Sequence, residues 1–388
     1  LTKSGKVDIT IFTETKMVQL KKSRGKSLVT QLTDILLEEI RSGHLSPGDK
    51  IPSERALTKL YGVSRATARN AILGLVSRGV VNRAVGSGSY VARDLDIDAA
   101  TAAQTGTIGF LVGRQHVPVR SIQDDFYYYR VMEGIQGELR SAKRHLIFSY
   151  LDDDETENRG IVADIGRKVD GLLLAETGSA ELVWQIEQLG LPCVLINPSI
   201  DDIDQRFDSL SVNNMSGAHK AIKYLLGLGH RAIGCIRGPR SSLPARDRYD
   251  GYVRALAEAG IDVVESQVIQ VDGWTINDGS VAAKTLIERA PHITALFCAS
   301  DTLAIGAMAG LKDVRRIPEE LSVVGFDDTT LSSHSTPPLT TVHSPTLELG
   351  RQAGRQIVQR IHSPSLPVTR VLLSPELTIR ESCRPVPQ

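Results

Sequence analysis

The sequence predicts an α/β protein in which a small N-terminal unit of three helices and a two-stranded wing precedes two lobes of doubly wound parallel sheet. Three observations predict it. Apolar residues at helical spacing, punctuated by cap and turn signals, run through residues 26–91. From residue 107 onward, short unbroken apolar runs alternate with helical patterns, as expected where helices cover both faces of a parallel sheet. The charge is also divided: the 388 residues carry 45 Lys and Arg against 45 Asp and Glu, yet residues 1–93 hold 16 basic and 7 acidic residues. A basic N-terminal part on an acidic body suits a polyanion at one end only.

Residues 1–25 are rich in Lys, Thr and Ser without sustained periodicity, and read as a tail. From Lys26, the residues Leu28, Leu32, Ile35, Leu36 and Ile40 give one apolar face, which Ser42-Gly43 ends. Pro47-Gly48-Asp49 is a turn. Ser53 caps a short helix from Glu54 to about Tyr61, Gly62-Val63 turns the chain, and Ser64 caps a longer helix to Arg78. In that helix Ala68, Ala71, Ile72, Leu75 and Val76 face inward, leaving Arg65 and Arg69 together on another face. Val80–Val91 reads as a hairpin around Gly86-Ser87-Gly88, which completes a winged helix-turn-helix over residues 26–93. Residues 94–106, small, polar and aperiodic, read as a linker.

The remaining chain, 107–388, is expected to hold strands at Thr107–Val112, His145–Tyr150, Gly171–Ala175, Cys193–Ile196, Ala232–Ile236, Ala295–Ala299 and Leu321–Phe326. About 280 residues is large for one sheet, so two similar lobes with a cleft between them fit better. The four cysteines lie far apart, and the first three sit in apolar runs as buried thiols. No apolar run approaches the ~18 residues of a membrane span, and the expected compartment is the cytoplasm.

Catalytic signatures are wanting. Gly25-Lys26-Ser27 has the end of a phosphate-binding loop, but Leu20 stands where its first glycine is required, and no strand precedes it. Gly86-Ser87-Gly88 lacks the third glycine of a dinucleotide fingerprint, and neither a nucleophile elbow nor a His-Glu-x-x-His pair occurs. The nine histidines have no metal spacing. Binding is expected rather than catalysis, with no cofactor and no metal.

The stretch Gly43–Val91 (GHLSPGDKIPSERALTKLYGVSRATARNAILGLVSRGVVNRAVGSGSYV) resembles the DNA-binding domain of GntR-type bacterial regulators. It shares their proline-glycine-aspartate turn, Pro-Ser-Glu-Arg helix start, Val-Ser-Arg recognition-helix start and glycine wing. Ala68 departs from the larger apolar residue usual there, on the inward stripe. Thr107–Pro385 resembles the effector domain of LacI/GalR-type repressors, which is periplasmic-binding-protein-like. The pieces that carry this are LLGLGHRAIGCIRGP, RYDGY, SDTLAIGA, IPEELSVVGFDD, PPLTTV and PELTIRES. The combined layout resembles that of the arabinose-repressor group. Because the LacI-type reader and its hinge helix are absent, the signal is expected to pass through the wing and the linker.

At the DNA end, a recognition helix places its first turn against base edges and phosphates in the major groove. Arg65 and Arg69 project together as candidate base readers, and Ser64 and Thr67 can donate to phosphate at the helix start. By resemblance Arg55 takes a DNA-contacting position. Gly86, Ser87 and Gly88 form a wing tip whose backbone can approach the minor groove. One helix reads few base pairs, so a homodimer on a palindromic operator is expected.

At the effector end, sugar recognition needs acceptors for hydroxyls, a guanidinium and a flat aromatic face. Asn197 follows the strand CVLI, Ser300 follows ALFCA and Asp327 ends SVVGF, at strand ends where α/β clefts bind ligands. The resemblance implies that Asp327 accepts from the ligand, that Arg248 grips it and that Trp274 stacks on it. From the aromatic run at the first strand–helix loop, Tyr127 or Tyr128 is expected in the cleft, with Phe126 and Tyr129 in the core. Asp301 is expected to cap the helix TLAIGAM rather than bind ligand. A repressor released by a monosaccharide follows. The rivals are corepression or activation by the same architecture, and a sugar-binding transport protein, which would need a secretion signal and no basic N-terminal domain.

Overall fold

The computed structural model describes residues 28–77, 79–84, 88–92, 105–113, 126–151, 154–176, 179–198, 207–363 and 366–386. The expected tail, nearly all of the linker, and the wing residues Gly86 and Ser87 lie outside them.

The N-terminal unit comprises α1 (Leu28–Arg41), α2 (Glu54–Tyr61), α3 (Arg65–Ser77) and the antiparallel pair β1 (Val81–Ala84) and β2 (Gly88–Val91). Ser53 caps α2 by accepting from the Ala56 amide at 3.2 Å, and Gly62 ends it in the left-handed region at φ 66°. Ser64 caps α3 by accepting from the Thr67 amide at 3.0 Å. Leu32, Leu36, Leu57, Ala71 and Leu75 form a closed core. Ala68 is fully buried within it, where a larger side chain would have to displace its neighbours. The Pro47-Gly48-Asp49 turn packs onto the wing, with Ile51 donating to Ser89 and Val91 donating to Asp49.

The first lobe is built from β3 (Thr107–Gly113), α4 (Phe126–Ser141), β4 (His145–Leu151), α5 (Glu155–Gly166), β5 (Gly171–Ala175), α6 (Ala180–Gln188), β6 (Cys193–Ile196) and β7 (Asp208–Val212). The second lobe contains α7 (Asn214–Gly227), β8 (Ile233–Arg237), α8 (Leu243–Glu258), β9 (Val268–Gln270), α9 (Ile276–Arg289), β10 (Ala295–Cys298), α10 (Asp301–Leu311), β11 (Ser322–Asp327), α11 (Thr330–His334) and β12 (Thr340–His343). The chain then returns through α12 (Thr346–His362) and β13 (Arg370–Leu373) to the first lobe, and ends in β14 (Glu376–Thr378) on the second.

Each lobe holds a six-stranded sheet, ordered β13-β7-β6-β5-β3-β4 and β14-β12-β11-β10-β8-β9. Every pairing in them is parallel except β12 with β14. The strands alternate between two buried faces. Leu172 and Leu174 enter one cluster, Leu173 and Ala175 the other; in the second lobe Ala295 and Phe297 part from Leu296 and Cys298 in the same way. Cys193, Cys235 and Cys298 are buried free thiols within these layers.

The chain passes between the lobes three times, after β7, after β12 and after β13. An ion pair ties the strands and helix of the first lobe at the end of the sheet away from these passages. Asp208, buried at the start of β7, accepts from Arg360 Nε at 2.8 Å and Nη2 at 2.7 Å, and from the Thr369 amide at 2.8 Å. Among the described residues no helix is long and apolar enough to cross a membrane.

Candidate effector cleft and DNA-reading face

A cleft of 630 Å³ opens between the lobes, bounded by the start of α4, the end of β11 and the start of α12. Its walls include Tyr127, Tyr129 and Arg130 from the first lobe and Asp327, Asp328 and His343 from the second.

Asp327 stands at the C-terminal end of β11 with φ 107°, and Asp328 follows with φ 55°. Two consecutive non-glycine residues at positive φ are costly and persist only where surrounding structure holds them. That structure is explicit. Arg248 on α8, 5% exposed, donates from Nε to Asn214 Oδ1 at 2.9 Å, from Nη1 to the Ala299 carbonyl at 2.6 Å and from Nη2 to Asp327 Oδ1 at 2.9 Å. Its guanidinium lies 3.8 Å from the centre of the Phe326 ring. Ser344, on the second passage between lobes, donates to the same Asp327 oxygen at 3.4 Å. Burial pushes the Asp327 carboxyl above its ordinary value, and Arg248 opposes that shift.

Beneath this turn lies Asp301, fully buried. It accepts from the Thr329 amide at 2.7 Å, the Thr329 hydroxyl at 3.1 Å and the Thr341 hydroxyl. Burial first, and the Asp327 charge second, raise its carboxyl to about 8. Gly325 lacks a side chain where Asp301 Oδ1 lies, since a Cβ there would come within 2.5 Å of it. The expectation that Asp301 caps α10 is corrected. Ser300 is the cap, accepting from the Leu303 amide at 3.2 Å, and it is buried and does not line the cleft. Asp328, although burial opposes its ionisation, is held down to about 2 by hydrogen bonds from His343 and Arg380. Reciprocally, the Asp328 hydrogen bond raises His343, whose Nδ1 is 3.0 Å from Asp328 Oδ2.

On the first lobe, Asn197 directly follows β6 at φ 43°, is buried, and donates from Nδ2 to the Tyr127 hydroxyl at 2.9 Å. The aromatic run is sorted by packing. Tyr127 faces the cleft, and Tyr128, an effector candidate, is corrected to the core, 3% exposed and 6.4 Å from Phe110. Tyr129, expected in the core, is 45% exposed and lines the cleft. The Phe126 side chain lies outside the described residues. Trp274 does not line this cleft. It follows β9, packs against the second-lobe core and fills the space that Gly238 leaves open.

At the DNA end, Arg55, Ser64, Arg65 and Arg69 are exposed and Thr67 is half-buried. Ser64 Oγ and Thr67 Oγ1 lie 2.8 Å apart. Gly88 has φ 115°, and Lys50 fills the space beside it, with Cε 2.7 Å from where a Cβ would sit. Lys50, Glu54 and Arg83 were not singled out from the sequence. Lys50 lies 5.6 Å from the centre of the wing residue Tyr90, and Glu54 pairs with both Arg65 and Arg83. Their charge in a basic domain was the available signal, and their placement was not.

Two family models match the chain. Residues 28–91 match bacterial regulatory proteins of the gntR family, and residues 222–383 match a periplasmic binding protein-like domain. The ribose operon repressor of Escherichia coli (strain K12) is 31% identical over 298 residues, covering 76% of this chain and 86% of the relative. An arabinose metabolism transcriptional repressor of Halalkalibacterium halodurans is 29% identical over 365 residues, covering 89% and 93%. Among solved structures, the complex of the transcriptional regulator CelR with cellobiose superposes with a TM-score of 0.66 at 26% identity, covering 86% of this chain and all of that one. The chain therefore belongs to the bacterial transcriptional repressors that carry a periplasmic binding protein-like effector domain, joined here to a DNA-binding domain of the gntR family.

Proposed function

We propose that this repressor binds a palindromic operator as a homodimer in the cytoplasm and is released when a small sugar closes the cleft. The observation that carries the reading is the Arg248–Asp327 pair at the cleft floor. Both of the hydrogen bonds described for the Asp327 carboxylate fall on Oδ1, which leaves Oδ2 for a ligand hydroxyl. The same pair touches Asn214 and Ser344, which stand on two of the passages between lobes. A ligand that engages Asp327 therefore acts on a pair bonded directly to two of the passages between lobes. Tyr127 and Tyr129 supply aromatic surface on the opposite wall. Arg65, Arg69, Ser64 and Thr67, with Arg55 and the wing residue Gly88, form the DNA-reading face.

Relatives described with ribose, arabinose and cellobiose support a neutral polyol as effector, and the cleft binds it without chemistry. To shift occupancy from 99:1 to 1:99 the effector must favour the non-binding state by about 10⁴-fold, roughly 5.5 kcal/mol.

The test is fluorescence anisotropy of a labelled fragment of the gene's own upstream region, with and without L-arabinose, D-ribose or cellobiose. Release by one sugar is the expected outcome. Binding strengthened by the sugar would reverse the sign to corepression, and tight binding indifferent to all three would remove these sugars as effectors.

A further inference from the structure

We propose that Arg83 on the wing is a further DNA-contacting residue, and that Glu54 is the positioning residue that holds it beside Arg65. This rests on the DNA-binding role of the winged helix. Glu54 opens α2 and is largely covered, with 18% of its side chain exposed. Its two carboxylate oxygens reach two different elements. Oε2 accepts from Arg65 Nε at the start of α3 at 3.4 Å, and Oε1 accepts from Arg83 Nη2 on β1 at 3.2 Å.

The guanidinium groups stay open to solvent, with 83% of the Arg65 side chain and 47% of the Arg83 side chain exposed. A guanidinium has five N–H donors, and each of these uses one on Glu54, so the others remain for phosphate oxygens or a base edge. Exposed ion pairs of this kind add little to stability, so the consequence of the bridge is geometric. It relates the recognition helix to the wing through a single rigid carboxylate. The trio carries one net positive charge and still attracts a polyanion. Lys50 adds a second cation at the same wing, between Gly88 and Tyr90.

The test uses the full chain and a labelled 30-base-pair duplex of random sequence, so that no operator need be known. Affinity is followed by anisotropy from 50 to 200 mM salt. Each phosphate contact contributes about 0.9 to the slope of log K against log salt. Arg83→Gln is expected to make the slope shallower by about that amount, and Arg83→Lys, which keeps the charge, to retain most of it. In a Glu54→Gln background the Arg83→Gln change is expected to shrink by half or more, because an unanchored arginine has already lost its placement. Thermal melts of each variant check the fold, and Arg83→Lys separates lost contact from lost folding.

An Arg83→Gln slope equal to wild type overturns the contact. An Arg83→Gln effect of equal size in both Glu54 backgrounds overturns the positioning role. A wild-type chain that binds no duplex at any salt overturns the DNA-binding reading itself, a result distinct from either.

Discussion

The proposed DNA-reading face and the candidate effector cleft use the same chemistry, arginine and carboxylate, in opposite environments. Arg55, Arg65 and Arg69 stand exposed on α2 and α3, and of the three Arg65 reaches Glu54, at 3.4 Å across an open surface. Arg248 is 5% exposed, and its partners Asn214, Ala299 and Asp327 come from elements 34, 51 and 79 residues away. Water solvates the first set in the free protein, so it contributes little to folding. The second set has been taken out of water and depends on its partners, so the proposed recognition and the stability share the same atoms. The DNA face is therefore open to substitution without loss of the fold, whereas the cleft is not.

The contrast is most exposed to failure at Arg248. Arg248→Leu leaves Asp327 buried without its cation, and urea denaturation is expected to show a loss of about 3–5 kcal/mol. Adding Asp327→Asn removes the stranded charge and should recover part of that loss. A single variant as stable as wild type would mean that the pair is solvated like the DNA face.

Next in size is Asp301. Its carboxyl is raised to about 8, so the folded chain keeps a proton that the unfolded chain gives up above the ordinary carboxylate range. Stability attributable to this group then falls as pH rises from about 4 to 8, by roughly 1.4 kcal/mol per pH unit at the steepest. Asp301→Asn, in which the Thr341 hydroxyl can turn to accept, should flatten that decline in urea midpoints measured across the range. An unchanged pH profile would show that the carboxylate stays ionised on its three donors.

Arg65→Ala tests the other side of the comparison. Discrimination between operator and random duplex is expected to fall by about 1–3 kcal/mol in competition anisotropy, with stability within about 0.5 kcal/mol of wild type. A large stability loss would place Arg65 with Arg248.

The smallest effect is expected at His343, half-exposed at the cleft mouth and raised by its bond to Asp328. A raised histidine adds stability that is complete below 6.5 and disappears as pH rises through its folded value. His343→Gln should remove that slight loss from melting temperatures recorded between pH 6 and 9. A pH dependence identical to wild type would assign it to other groups.

Much of the fold was legible because its signals are local. Ser53 and Gly62 bracket α2 at Glu54–Tyr61, and the runs GLLLA and CVLI become β5 and β6 without adjustment. Strand β9, only VIQ, was not anticipated, and neither were β7, β12, β13 and β14, since DSLSV, TTVH, RVLL and ELT mix polar with apolar residues. The last four flank the passages between lobes, so the cleft's construction was hidden along with them.

The aromatic run at the start of α4 shows the same limit at the scale of one side chain. Four consecutive aromatics point in every direction around a helix, and periodicity cannot choose among them. Packing against Phe110 turned Tyr128 inward and left Tyr127 and Tyr129 at the cleft. At α10, Ser300 and Asp301 are both good caps, and the deep burial of Asp301 under the Asp327–Asp328 turn decided between them.

Helical spacing, cap chemistry and unbroken apolar runs were enough to establish the winged helix and the α/β layers, because each is a preference of a dozen residues for its own backbone and its own buried face. Which polar residues meet at the cleft was decided only by the order of strands in two sheets and by three passages between them. Burying a charge costs too much for any one segment to determine, and it is met only when distant donors and acceptors arrive together.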